Sequence, residues 1–339
     1  AGWTVRYAVE AITGGFAEDS AARFGAIATG TPAVLWHFAF MAVTAAVVSG
    51  GIRSGIERVS LILMPLLAVL VIGLAIYAAT LDGASAGYAY YLQADFGEIV
   101  SFDVLKDAAS QAFFSLSLGM GAILTYASYL SREHHLPDES LMIAVSDFAV
   151  AFVAGLVVFP LLFALGLQED VVSSTVGALF ITLPKAFASM GPAGQMIGVL
   201  FFLALVVGAL TSAISLLEVV VASVIDGFGW ARTRAAWLCA AGIALLGIPS
   251  ALSQDVLGLM DQIGANVFLP LGALLLSLMV GWGRRDAVAE VSVGAEGIRW
   301  FFLWRNLLRY VVPAVLAVVL VLALGDTWKT IASLFASSG

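Results

Sequence analysis

The stretch that decides the fold is QAFFSLSLGMGAILTYASYL, residues 111–130. It is apolar enough to cross a membrane, yet its centre, Ser115-Leu-Ser-Leu-Gly-Met-Gly121, sets two serines and two glycines within seven residues. Glycine in a helix interior costs about 1 kcal/mol relative to alanine, and serine hydroxyls offer the backbone other hydrogen-bond partners. A spanning segment weakened at its middle predicts an unwound helix over 117–121. In hydrocarbon an unsatisfied backbone group is expensive, so a break is tolerated only where it lines a cavity. Carbonyls freed there coordinate cations, and the N-terminus of the second half-helix attracts carboxylates. The break therefore predicts a binding site near the membrane midplane.

The rest of the chain agrees with a membrane setting. Of its 339 residues 61% are hydrophobic and only 11% charged, with mean hydropathy +1.03, whereas soluble domains run near 45–50% apolar and ~25% charged. The formal charge of −8 argues against nucleic acid as a partner. A single cysteine, Cys239, excludes a disulfide framework. A spanning helix needs about 20 apolar residues. Such runs cover 33–52, 59–81, 104–130, 141–165, 193–225, 235–252, 256–282 and 306–325, with residues 1–16 reading as the tail of a helix already under way. The expected fold class is an all-α membrane protein, cut at its N-terminus. Val176–Pro184 is apolar but too short to span, and reads as a re-entrant or capping segment.

Ten of the 15 Lys and Arg residues fall in alternate loops, near 50–58, 131–139, 227–234 and 283–309. The positive-inside rule places those loops in the cytoplasm. A multi-pass protein of the cell (plasma) membrane with its C-terminus outside is expected. The lipid bilayer is then its first partner.

Ionisable residues within spans are functional candidates because they are costly to place there. Asp147 lies inside a span and is read as functional. Glu218 and His37 read as structural groups paired between helices, and Asp226 and Asp261 as interfacial or functional acids in equal measure. In Gly208-Ala-Leu-Thr-Ser-Ala-Ile-Ser215, Thr211, Ser212 and Ser215 sit on adjoining turns. They are either helix-packing hydroxyls or oxygen ligands for a hard cation. Enzyme signals are poor. Gly83-Ala-Ser-Ala-Gly87 matches the nucleophile-elbow pattern without its strand-turn-helix context. Glu133-His134-His135 has no second cluster at metal-ligand spacing.

These motifs carry a resemblance. QAFFSLSLGMGAILTYASYL resembles the broken sixth helix of the neurotransmitter:sodium symporter family, in its bacterial amino-acid transporter branch. GALTSAISLLE resembles the eighth helix, RSGIERVSLILMP the junction of the fourth and fifth, FITLP the fourth outer loop and LMDQIGANVFLPLG the tenth helix. The resemblance runs in order over nearly the whole chain. It implies an inverted-repeat, five-plus-five-helix fold lacking the first two helices and part of the third. Residues 1–339 would form one transmembrane transporter domain. Its parts are a partial third helix at 1–16, helices four and five at 32–81, helices six to ten at 103–283 and the eleventh at 300–325.

The resemblance also implies roles. Phe114, Ser115, Ser117, Met120, Ser212 and Leu216 correspond to substrate-binding positions. Ser115 and Asp147 correspond to one sodium site, and Gly208, Thr211 and Ser212 to a second, with Asp226 and Asp261 as gating acids. Relatives often carry Asn where this chain has Asp147. The implied activity is sodium-coupled symport of amino acids by alternating access, with two sodium ions and no organic cofactor. The visible pocket residues include no acid to hold a side-chain amine, so hydrophobic amino acids are the expected substrates. Amines or osmolytes, an inactive truncated fragment and a membrane enzyme are the competing readings.

Overall fold

The computed structural model describes residues 1–339 except 15, 17–18, 94–95, 98–100, 132–134, 168–174, 284–290, 292–299 and 338–339. Of the loop residues named above, Glu133 and His134 lie outside the described residues. Among the described residues every regular element is helical. The order is α1 (Gly2–Thr13), α2 (Ser20–Ala28), α3 (Gly30–Ser49), α4 (Ile52–Ala79), α5 (Ala84–Leu92), α6 (Phe102–Ser115), α7 (Ala122–Ala127) and α8 (Leu136–Ala164). It continues through α9 (Ala178–Ser189), α10 (Gly191–Phe228), α11 (Arg232–Leu246), α12 (Ile248–Leu252), α13 (Gln254–Gly283) and α14 (Phe301–Lys329).

Six of these, α3, α4, α8, α10, α13 and α14, are long and apolar enough to cross a membrane. The two remaining expected spans are interrupted. Residues 104–130 divide into α6 and α7, as the Gly/Ser centre predicts. Residues 235–252 were expected as one helix but divide into α11 and α12 around Gly247. Pro249 follows at once, in the first turn of α12, where its missing N–H costs nothing. The His37 ring fills the space a Gly247 side chain would need, and His37 Nε2 lies 3.0 Å from the Ala244 carbonyl oxygen. The stretch after α4 carries the short helix α5, which takes in most of the Gly83–Gly87 pattern.

The chain divides into two compact units, Ala1–Gln93 with Ala149–Gln254, and Ala94–Phe148 with Asp255–Gly339. The first is built around α10, against which α1, α3, α4, α9 and α11 pack. Its core joins Tyr7, Leu74, Leu161, Phe180, Phe187 and Phe202. Tyr7 stacks on Phe202 at 5.0 Å and donates its hydroxyl proton to the Phe180 carbonyl at 2.7 Å. The Val176–Pro184 piece is thus helical, and its Phe180 and Leu183 are buried in that core. Buried charges are paired, as burial requires. Glu10 accepts from Arg6 at 2.8 Å and from Arg23, and the latter bond holds the Arg23 guanidinium pKa above its usual range. Glu218, fully buried, pairs with Arg232, whose Nε donates to the Val48 carbonyl at 3.1 Å. The structure therefore gives both Glu218 and His37 inter-helix partners.

In the second unit the unwound segment lies against α13. A Cβ on Gly119 would collide with the Leu269 carbonyl and the Ala273 amide, and one on Gly272 with the Gly119 carbonyl. Gly119 and Gly121 also occupy the left-handed region, at φ +84° and +80°. Only glycine meets both demands without cost. Gly119→Ala is expected to lower stability by about 1–3 kcal/mol, since inserted methyl groups in packed regions cost that much. Thermal melts of the purified protein check this, with Gly258→Ala as control because nothing lies within 4 Å of a Cβ there. Equal melting temperatures for the two variants would refute the close-approach reading.

Candidate functional site

Helix α6 starts on Ser101, whose hydroxyl oxygen accepts from the Val104 amide at 3.3 Å, and runs to Ser115. Beyond it the chain makes a tight non-helical turn. The Ser117 amide donates to the Phe114 carbonyl at 3.1 Å and the Leu118 amide to the Phe113 carbonyl at 2.9 Å. Ser117 takes φ +53°, a conformation that costs a non-glycine residue about 1–2 kcal/mol. Such strain persists where surrounding structure enforces it, and it clusters at functional sites. At the far side Gly121 caps α7, and its carbonyl accepts from both the Thr125 amide and the Thr125 hydroxyl, each at 2.9 Å.

At the lip of the break, the Ser115 hydroxyl donates to Asp147 Oδ1 at 2.7 Å. Asp147 is on α8 and half-buried. The structure thus brings together the two side chains expected to share a cation, at the point where the helical ladder ends. An oxygen set of carboxylate, hydroxyl and carbonyl suits a hard monovalent or divalent ion. Among the described residues no three His, Cys, Asp or Glu side chains converge as a metal cluster. Phe114 is exposed within its unit, and Ser117 and Met120 are half-buried on the same broken segment.

The second expected cation set lies in the other unit, on α10. Thr211 is buried, and its hydroxyl faces the carbonyls of Gly208 at 3.0 Å and Val207 at 3.1 Å. Ser215 donates to the Thr211 carbonyl at 3.1 Å. Such back-bonding satisfies the hydroxyl protons within the helix. Gly208 and Ser212 line an apolar cavity of about 550 Å³ together with Trp3, Leu67, Val71 and Phe180. Leu216 is exposed one turn beyond Ser212, and Asp226 is exposed near the C-terminus of α10.

Asp261 lines a cavity of about 370 Å³ in the second unit, with Asp107, Ser110, Gln111, Phe114 and Asn266. Sequence reading singled out neither Asp107, Gln111 nor Asn266. The available signal was spacing: Asp107, Ser110 and Gln111 recur at the period of one helix face, which Phe114 continues, a polar stripe at the start of an otherwise apolar segment.

A spanning helix broken beside a carboxylate, with further oxygen-bearing positions on long membrane helices, defines a secondary transporter built around discontinuous helices. Residues 22–332 match the model of the Sodium:neurotransmitter symporter family, and the chain belongs to it. Among relatives, the uncharacterized sodium-dependent transporter YhdH of Bacillus subtilis is 34% identical over 343 residues, covering 96% of this chain and 75% of that one. Sodium-dependent nutrient amino acid transporter 1 of Drosophila melanogaster is 29% identical over 281 residues, covering 80% of this chain and 40% of that one. Among solved structures, MhsT in complex with L-phenylalanine aligns at TM-score 0.83 and 41% identity, covering 95% of this chain and 76% of that one.

Removing the Ser115 hydroxyl takes a donor from Asp147, and hydrogen bonds to charged groups contribute about 1.5–3 kcal/mol. Ser115→Ala is expected to weaken apparent sodium affinity in uptake at least tenfold. The double change Thr211→Ala with Ser212→Ala is expected to do the same, a loss of at least ~1.4 kcal/mol. Unchanged sodium dependence in either variant would assign its hydroxyls to packing alone.

Proposed function

We propose that this protein carries hydrophobic amino acids across the cell membrane together with sodium, by alternating access and without a need for chloride. It performs no covalent chemistry and uses no organic cofactor. The observation that carries the reading is the Ser115–Asp147 pair at the break between α6 and α7, in a chain belonging to a family of sodium-coupled transporters. Ser115 and Asp147 would hold one sodium ion, and Gly208, Thr211 and Ser212 a second. Phe114, Ser115, Ser117, Met120, Ser212 and Leu216 would line the substrate site, with Asp226 and Asp261 as gating acids. The chain as a whole would act as one transporter domain, with its C-terminus outside. The amino-acid substrate is supported by the L-phenylalanine bound to MhsT and by the nutrient amino acid transporter among the relatives. Met120, unbranched and polarizable, suits a pocket for bulky apolar side chains.

Chloride independence follows from charge. Two sodium ions entering a low-dielectric site need compensating anions, because unpaired buried charge is expensive. Asp147 supplies a fixed one. Ala151 lies one turn later on the same face of α8 and supplies none. Sodium binding would then favour the substrate-binding state, and substrate would raise sodium affinity by the same factor. The test is uptake of labelled leucine and phenylalanine by the reconstituted protein, in sodium chloride against sodium gluconate, repeated with Asp147→Asn. Equal uptake in both salts is expected for the unmutated protein, and a weakened sodium response in the variant. Strong chloride dependence of the unmutated protein would overturn the charge argument, and sodium-independent uptake would overturn the symport.

A further inference from the structure

Away from the break, α13 and α14 meet at one end of the second unit. The Ser277 hydroxyl donates to the Leu308 carbonyl at 3.4 Å, and a Cβ on Gly281 would press on Arg309 Cα and the Leu308 carbonyl at 2.9 Å. The Trp282 indole N–H donates to the Arg309 carbonyl at 2.9 Å, while the Arg309 guanidinium lies over the Trp282 ring, 4.1 Å from its centroid. Tyr310 flanks the same guanidinium at 5.8 Å and packs edge-on against Trp282. Arg305 sits one turn before Arg309.

Three features of this pair need an explanation. Like charges four residues apart on a helix repel, yet among the described residues no carboxylate pairs with either arginine. Arg305 Nε and Arg309 Nε are both shielded from solvent with no acceptor, which leaves two charged-group donors unsatisfied. Both arginines also lie inside a helix of 29 residues that is apolar enough to span. At about 1.5 Å per residue that helix is roughly as long as a bilayer including its headgroups. Arg305, in the first turns of α14, then falls near headgroup depth, and Arg309, about one turn deeper, lies within snorkelling reach of it, at the level where Trp and Tyr concentrate. Phe302, Leu303 and Leu307 on the same turns are exposed, as acyl-chain contact requires. The anion available at that depth is a lipid phosphate. With each Nε covered, the terminal Nη donors are the ones that can meet a phosphate in parallel, and two guanidiniums favour a headgroup of net negative charge over a zwitterionic one.

We infer that Arg305 and Arg309, with Trp282 and Tyr310 around them, form a binding site for the phosphate of an anionic phospholipid headgroup. The site is independent of the cation and substrate positions proposed above. It is tested by native mass spectrometry of the purified protein in detergent, titrated with phosphatidylglycerol, phosphatidylcholine and inorganic phosphate. Phosphatidylglycerol is expected to bind preferentially. Its affinity should fall tenfold or more in the double variant Arg305→Gln with Arg309→Gln, and by less in Arg305→Lys with Arg309→Lys, which keeps charge but loses the planar fork. Arg234→Gln, which removes an exposed arginine resting on Trp230, should leave it unchanged. If the glutamine variant fails to fold, the intact protein and its lysine variant still decide. Equal phosphatidylglycerol affinity in those two would overturn the arginine fork. Equal binding of phosphatidylcholine would overturn the anionic headgroup, and displacement of the lipid by millimolar inorganic phosphate would overturn the lipid source.

Discussion

Backbone polarity in a medium without water constrains this protein more than any other factor. A helix in hydrocarbon satisfies itself, and a broken one must be satisfied by something else. The turn at 116–121 is accommodated because glycines on both sides let two backbones approach within contact, Gly119 against α13 and Gly272 against the turn. Once that contact is made, Ser115 is held at the end of α6 where its hydroxyl reaches Asp147. The Ser115–Asp147 pairing, and the cation site proposed on it, thus begins in steric permission given by two missing side chains.

The buried charges elsewhere show the same economy. Glu10 draws Arg6 and Arg23 together, and Glu218 ties α10 to α11 and, through Arg232, to the end of α3. Breaking such a pair by removing one partner strands a charge, typically at about 3–5 kcal/mol. The first unit is therefore cross-braced at several levels, with a stacked aromatic core between. The second unit carries the broken helix, and its polar cavity is lined by two carboxylates, Asp107 and Asp261.

Much of this was legible in the residues, for physical reasons that can be named. The break at 117–121 could be read because glycine and serine act on their own backbone, so the signal is local. The spans could be read because bilayer thickness imposes a length. The interruption at Gly247 was missed because a long apolar run outweighs one glycine until the His37 ring is seen filling the space beside it. The partners of Glu218 and His37 were invisible as identities, since they lie 14 and 207 positions away, although the need for partners was plain. Asp107 escaped attention because an acid near a span's end is ordinary, and Asn266 because a lone amide carries no charge to mark it, until a cavity gathers both with others. The Ser115–Asp147 pair was reached only through family resemblance, because nothing in the spacing of two separate helices brings residues 115 and 147 together.

The central claim is that sodium is held at the break between α6 and α7 through Asp147. Hydrogen–deuterium exchange of the backbone amides over residues 113–121, with sodium and with potassium in its place, tests it most directly. Sodium should slow exchange across this segment in the unmutated protein, because a coordinated cation ties down the carbonyls of the turn, and it should lose that effect in Asp147→Asn. Identical exchange in sodium and potassium, or full sodium protection retained in Asp147→Asn, would contradict the account.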